Sequence, residues 1–220
     1  MNPPDQSVRG YDRLAAPYRW LEYVAFGRRL QQARVALLSQ LPPLRRAMFL
    51  GDGDGRLLQQ FCRRQPQCQV TSIDQSRQML RRQLARVERV GAAQRVRFEC
   101  QNAARYEPPP GAFDLLVAPF FLDCFAESEL QRLLPQWLAG LRDGGLFYFV
   151  DFTRPDRPKW RRAQADMYLA MMHQFFRWQT DLPNRELVKW DRLLDRQPLR
   201  MISTAKGLHP MLVSRLYQTY

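Results

Sequence analysis

The stretch Ala47-Met48-Phe49-Leu50-Gly51-Asp52-Gly53-Asp54-Gly55-Arg56 decides the fold. Four apolar residues run into three alternate glycines, and a helical pattern ending near Arg64 begins at once. Strand, glycine turn and helix in that order put backbone where a ligand can approach it closely, at the carboxyl end of a strand. Asp74 closes a second apolar run, Val70 to Ile73, and lies 19 residues beyond Gly55. A carboxylate in that place can accept hydrogen bonds from both hydroxyls of a ribose. Ser76 is available to cap the next helix, which runs to about Val90 and leaves Asp74 for a ligand.

Working outward, the alternation continues. Val96 to Glu99, Phe113 to Ala118 and Leu146 to Val150 are further short apolar runs, the last entered through Gly144 and Gly145. Between the fourth and fifth runs, Leu130, Leu133, Leu134, Trp137, Leu138 and Leu141 form a helical stripe, with a kink expected at Pro135. Five strands separated mostly by helices predict a parallel sheet with right-handed crossovers. Downstream, the pattern predicts a long helix from about Trp160 to Trp178 and a shorter one from about Arg185 to Arg196. An antiparallel hairpin of Leu199 to Thr204 and Met211 to Tyr217, turning at Gly207 and Pro210, follows. Upstream, Tyr11 to Leu41 is aromatic-rich and helical, with Leu30, Ala33, Val35, Leu37 and Leu38 on or near one face, and Pro42-Pro43 ends it. The 220 residues fit one domain: a helical cap over 11–41, a core over 46–152, a helical insertion over 153–196 and a terminal hairpin over 197–220.

Composition excludes some classes. The net charge is +13, but only Lys159, Lys189 and Lys206 among the 34 basic residues are lysine, and the arginines are scattered through every helical segment. Dispersed charge of this kind reads as a solvated surface, so nucleic acid is a possible partner that is not favoured. Cys62, Cys68, Cys100 and Cys124 lack both CxxC spacing and a nearby histidine. They read as small core residues of a reducing compartment, and no metal site is expected. No apolar run approaches the ~18 residues of a membrane span, and the opening MNPPDQSVRG has no apolar segment of a secretory signal. A cytoplasmic location is the expectation.

These residues resemble the class I S-adenosylmethionine-dependent methyltransferases, over about residues 11 to 152 and more loosely beyond. The glycine loop, Gly51 to Gly55 with Asp52 and Asp54, resembles the family motif that wraps the methionine portion of the cofactor. Asp74-Gln75-Ser76-Arg77-Gln78-Met79-Leu80 is similar to the acidic ribose-binding motif, whose helix packs a methionine, here Met79, on the adenine. Asn102-Ala103 looks like the pair at the adenine edge. Ala118-Pro119-Phe120-Phe121 sits where the family floors its methyl-transfer site, and Leu141-Arg142-Asp143-Gly144-Gly145-Leu146 resembles the turn into the fifth strand. The resemblance implies a doubly wound α/β fold with a mostly parallel seven-stranded sheet, S-adenosylmethionine as cofactor, and a small-molecule acceptor. It is closest to the branch that includes ubiquinone and menaquinone methyltransferases, whose N-termini often carry a stretch similar to Tyr11-Asp12-Arg13-Leu14-Ala15. One departure stands out. Phe49 occupies the position, two before the first glycine, where the family has an acidic residue that holds the cofactor's ammonium group; Asp52 or Asp54 would have to compensate.

Methyl transfer from a sulfonium needs alignment above all, so a dedicated base is optional and the acceptor is not legible. The expected acceptor pocket combines Tyr11 and Tyr18 with Phe120, Phe121, Phe152, Met172 and Phe176, giving an apolar cavity for a flat phenol or quinol. His173 is the candidate general base. Three other readings compete. A nicotinamide oxidoreductase wants GxGxxG, but Arg56 takes the place of the last glycine and there is no Tyr-x-x-x-Lys pair. An RNA or DNA methyltransferase wants a side-chain acceptor where Ala118 stands, or a Pro-Cys. A binding protein that keeps the cofactor pocket without catalysis has Phe49 in its favour. The sequence leaves the oligomeric state open.

Overall fold

Short apolar runs, too short for helices and bounded by glycine, proline or polar turns, become strands, of which the central ones are buried on both faces. The computed structural model describes residues 28–153 and 190–220. In it the runs form β1 (Arg46–Leu50), β2 (Gln69–Asp74), β3 (Val96–Cys100), β4 (Phe113–Pro119) and β5 (Leu141–Phe152), and the terminal hairpin forms β6 (Leu199–Thr204) and β7 (Leu212–Thr219). The helices are α1 (Arg29–Val35), α2 (Arg56–Arg64), α3 (Arg77–Glu88), α4 (Glu127–Leu138) and α5 (Trp190–Leu194). One seven-stranded sheet results, in the order β3-β2-β1-β4-β5-β7-β6. The first five strands are parallel, and β7 inserts antiparallel between β5 and β6, with Val150 opposite Ser214.

Side chains alternate across the sheet with period two, and each face gathers its own core. On one face Phe49, Tyr148 and Val150 pack with Leu30, Leu58, Phe61 and Val87 from α1, α2 and α3. On the other, Met48, Leu50, Phe147 and Phe149 pack with Leu133 and Trp137 of α4 and Trp190 of α5. Helices on both faces of a mostly parallel sheet make the expected doubly wound architecture.

Three local expectations are corrected. Leu141 does not extend the α4 stripe: α4 ends at Leu138, and Leu141 opens β5 opposite Phe113. Leucine at helical spacing cannot be told from the first leucine of a strand when the turn between them is only Ala139-Gly140. The segment before Pro42 is not one continuous helix, because α1 ends at Val35 and a separate 3-10 turn covers Leu38–Gln40. Its apolar residues still point inward, Leu30, Ala33, Leu37 and Leu38 being buried and Val35 packed against the same core. Cys62 and Cys68 are core residues, whereas Cys100 is exposed and Cys124 half-buried, since both lie at or beyond the carboxyl ends of strands. The helices expected over 11–27 and 160–178, with Tyr11, Tyr18, Met172, His173 and Phe176, lie outside the described residues.

Candidate active site

The strand order reverses its winding between β1 and β4, and in open α/β sheets such a switch point is where ligands bind, at the carboxyl ends of the strands. Every candidate from the described core, Gly51 through Phe121 and on to Phe152, lies on that edge.

The glycine loop is held from two sides. Gly51 has φ 62°, donates its N–H to the Ile73 carbonyl at 3.0 Å, and a Cβ there would collide with the Phe121 ring. Gly55, with φ 83°, caps α2, and a Cβ there would lie 2.9 Å from the backbone of Gln83. Gln83 is fully buried; its amide donates to the Gly53 carbonyl at 2.9 Å while its oxygen accepts from Ser72 Oγ at 2.7 Å. Arg86 donates to the Asp54 carbonyl at 2.7 Å and to Asp54 Oδ2 at 2.8 Å, and Arg56 Nε reaches the same oxygen at 3.0 Å. The Asp54 carboxylate therefore fastens the loop to α2 and α3. At Gly53, by contrast, a Cβ would meet nothing within 4 Å, so the loop is open at its crest.

Asp52 is different in kind. It is 5% exposed; Oδ2 accepts the Leu58 N–H at 2.8 Å, and Oδ1 has no hydrogen-bond partner. Burial pushes its carboxyl up to about 7, against the pull of the Leu58 amide and the Arg34 charge. Phe49 is fully buried, edge-on to Phe61 at 5.1 Å. Its position faces the α2 core, which leaves Asp52 as the loop carboxylate with an unused oxygen.

On β2, Asp74 is half-buried and accepts the Ser76 N–H at 2.9 Å, while Ser76 Oγ accepts from Met79 N at 3.2 Å and caps α3 as expected. Gln75 and Met79 are half-buried beside it. Asn102 is exposed and its oxygen takes the Ala104 N–H at 2.9 Å; Ala103 is buried, and its carbonyl accepts from Trp137 Nε1 at 3.0 Å. Asn102 thus closes its own turn, and Ala103 ties that turn to α4.

Beyond Pro119, Phe120 has φ 52°, the single non-glycine residue with positive φ among those described. Strained backbone of this kind concentrates at functional sites. The turn sends Phe120 to one side, 5.0 Å from Phe152 with the Arg34 guanidinium 4.9 Å from its centroid. Phe121 goes to the other, beside Phe125 at 5.1 Å and Trp137 at 5.7 Å. Phe152 is buried, with its ring against that of Phe120. Sequence reading overlooked Arg34, Asp123 and Asp151. Asp151 carried a signal, a carboxylate inside the apolar run Phe147-Tyr148-Phe149-Val150-Asp151-Phe152. Among the described residues no three His, Cys, Asp or Glu gather as metal ligands, and no helix is long and apolar enough to cross a membrane.

Residues 48–145 match the family described as a methyltransferase domain. No curated protein matches the chain. Among solved structures, the mitomycin 7-O-methyltransferase MmcR superposes with TM-score 0.67 at 16% identity, covering 95% of this chain and 60% of its own. An O-methyltransferase family 2 protein from Planctomyces limnophilus, in complex with apigenin, gives 0.68 at 15%, covering 92% and 61%. The N-methyltransferase NodS from Bradyrhizobium japonicum, in complex with S-adenosyl-L-homocysteine, gives 0.59 at 15%, covering 98% and 99%. The chain thus spans about three fifths of the length of the first two and nearly all of the third. The fold is that of the Rossmann-like methyltransferases, and its core over residues 48–145 carries the sequence pattern of a methyltransferase domain.

Proposed function

We propose that the chain is an S-adenosylmethionine-dependent methyltransferase acting on a small, largely apolar aromatic acceptor of phenol or quinol type, close in kind to the ubiquinone and menaquinone methyltransferases. The observation that carries this reading is the glycine loop itself. It is clamped in shape by Gln83 and Arg86, open at Gly53, and furnished with one buried carboxylate oxygen, Asp52 Oδ1, that receives no hydrogen bond.

Asp52 would take the ammonium group of the cofactor's methionine end, in place of the acid that Phe49 displaces, and Gly51, Gly53 and Gly55 would let the backbone come close. Asp54 would serve by holding that backbone. Asp74 would accept the ribose hydroxyls, with Gln75, Met79, Asn102 and Ala103 around the adenine. Pro119, Phe120 and Phe121 would floor the acceptor side. The bound cofactor supplies an activated methyl group, so the protein's contribution is alignment and exclusion of water. The cap over 11–41 and the insertion over 153–196, with Tyr11, Tyr18, Met172, His173 and Phe176, would close over the acceptor. The apigenin-bound and mitomycin-modifying relatives support the aromatic acceptor class.

Calorimetric titration tests the reading. S-adenosylhomocysteine is expected to bind and NADH not to. Asp74→Ala should lose about 2–4 kcal/mol of binding, the worth of two hydrogen bonds to a charged acceptor. A folded protein that ignores S-adenosylhomocysteine would remove the cofactor assignment altogether.

A further inference from the structure

The far half of the glycine loop is clamped by α3, where Gln83 and Arg86 hold Gly53 and Asp54. The near half is held by an aromatic side chain from another loop. At Gly51 the three atoms nearest an added Cβ all belong to the Phe121 ring, so only glycine lets the ring lie there. Behind Gly51, Phe121 is tilted at 49° to Trp137 and at 73° to Phe125, and the Phe125 and Trp137 rings meet at 5.5 Å. Trp137 is fully buried in α4, and its Nε1 donates to the Ala103 carbonyl at 3.0 Å. Contacts therefore run unbroken from Gly51 through Phe121 and Trp137 to Ala103, joining the loop after β1 to the turn after β3. The backbone is bent to allow this, since φ of 52° at Phe120 sends the two neighbouring rings to opposite sides. Ordinary core packing asks for neither a left-handed phenylalanine nor a glycine beneath the next ring. Both are costs that a positioning role accounts for.

Resting on the methyltransferase reading, we infer that Phe121 is a positioning residue for the cofactor, and that the span it fixes selects a ligand carrying an amino-acid end. Glycine loses more conformational freedom on folding than any other residue, so a loop with three alternate glycines needs outside contacts to keep one shape. The backbone of the Phe120–Phe121 turn floors the acceptor side, while the Phe121 ring lies on the loop that takes the methionine end. The ring cluster sets how far that loop stands from Asn102 and Ala103 at the adenine edge. Aromatic rings packed edge to face suit this task, because they are rigid and large. A ligand that reaches both ends finds both in place and loses no binding energy to ordering the loop. Methylthioadenosine, which has no amino-acid end, gains nothing from that order.

The test is calorimetric titration of the full chain with S-adenosylhomocysteine and with methylthioadenosine. Wild type should bind S-adenosylhomocysteine more tightly. Phe121→Ala should weaken S-adenosylhomocysteine by roughly tenfold and leave methylthioadenosine as in wild type. Phe121→Leu, which refills part of the space against Gly51, should recover part of the loss. Gly51→Ala should weaken S-adenosylhomocysteine more in wild type than in the Phe121→Ala background, where the ring it displaces is already gone. Undiminished S-adenosylhomocysteine binding by Phe121→Ala, an equal loss for both ligands, or additive effects of the two substitutions overturns the assignment; so does a wild type that binds both ligands equally. Should Phe121→Ala not fold, Phe121→Leu carries the same two-ligand comparison with a smaller change, and that comparison stands without Gly51→Ala. Failure of wild type to bind S-adenosylhomocysteine is a separate result, and it strikes the methyltransferase reading first.

Discussion

At the scale of single residues, Asp52 joins stability to function in opposite directions. Its folded-state carboxyl, at about 7, lies above the 3.8 of an unfolded aspartate because of burial. The native state thus keeps a proton that the unfolded chain releases. The resulting stability is fully present below the unfolded value and is lost as pH rises through about 7. Asp52→Asn removes that loss while its amide oxygen can still accept the Leu58 N–H. The ligand-free variant should therefore melt later than wild type near pH 8, by on the order of 2–4 kcal/mol, and equally with it near pH 4. The same variant should bind S-adenosylhomocysteine more weakly, while binding of methylthioadenosine, which has no amino-acid end, should not change. Scanning calorimetry at the two pH values and titration with the two ligands check both halves. The sequence placed Asp52 in the loop but left it level with Asp54. What separates them is Arg86, 32 positions along the chain from Asp54, which occupies one carboxylate and not the other.

Among the elements, α1 and β5 are joined by one hydroxyl. Tyr148 accepts the Leu37 N–H at 3.0 Å and donates to the Arg34 carbonyl at 2.8 Å, so β5 fastens the turn that follows α1. Tyr148→Phe should leave the Leu37 N–H buried without a partner and cost about 1–3 kcal/mol. That loss should appear as a lower urea midpoint with an unchanged slope, since no new surface is exposed. If the midpoint holds, the hydroxyl is dispensable to that junction. The strands themselves were legible because continuous apolar runs between turn residues admit few other structures. The end of α4 was not, because Leu138 and Leu141 keep helical spacing across a turn that only the pairing of Leu141 with Phe113 reveals.

For the whole molecule, a ligand that binds only the folded state stabilises it by mass action. S-adenosylhomocysteine at a hundredfold excess over its dissociation constant should add about 2.7 kcal/mol and raise the melting temperature by roughly 5–10 °C. Thermal denaturation with and without the ligand measures this, and NADH at the same concentration should leave the curve in place. The amino-acid sequence by itself determined the strand count, the glycine loop between β1 and α2, the place of Asp74 at the end of β2 and the capping by Ser76. These are local patterns, in which periodicity and turn chemistry act between near neighbours. Only the tertiary structure decided that Phe49 belongs to the core of α2, that Asp54 is a fastening and that Asp52 is an unused acceptor. Burial and pairing depend on what the sheet brings together across the chain. A carboxylate's role follows from the donors around it, and those of Asp52 and Asp54 come from α2 and α3.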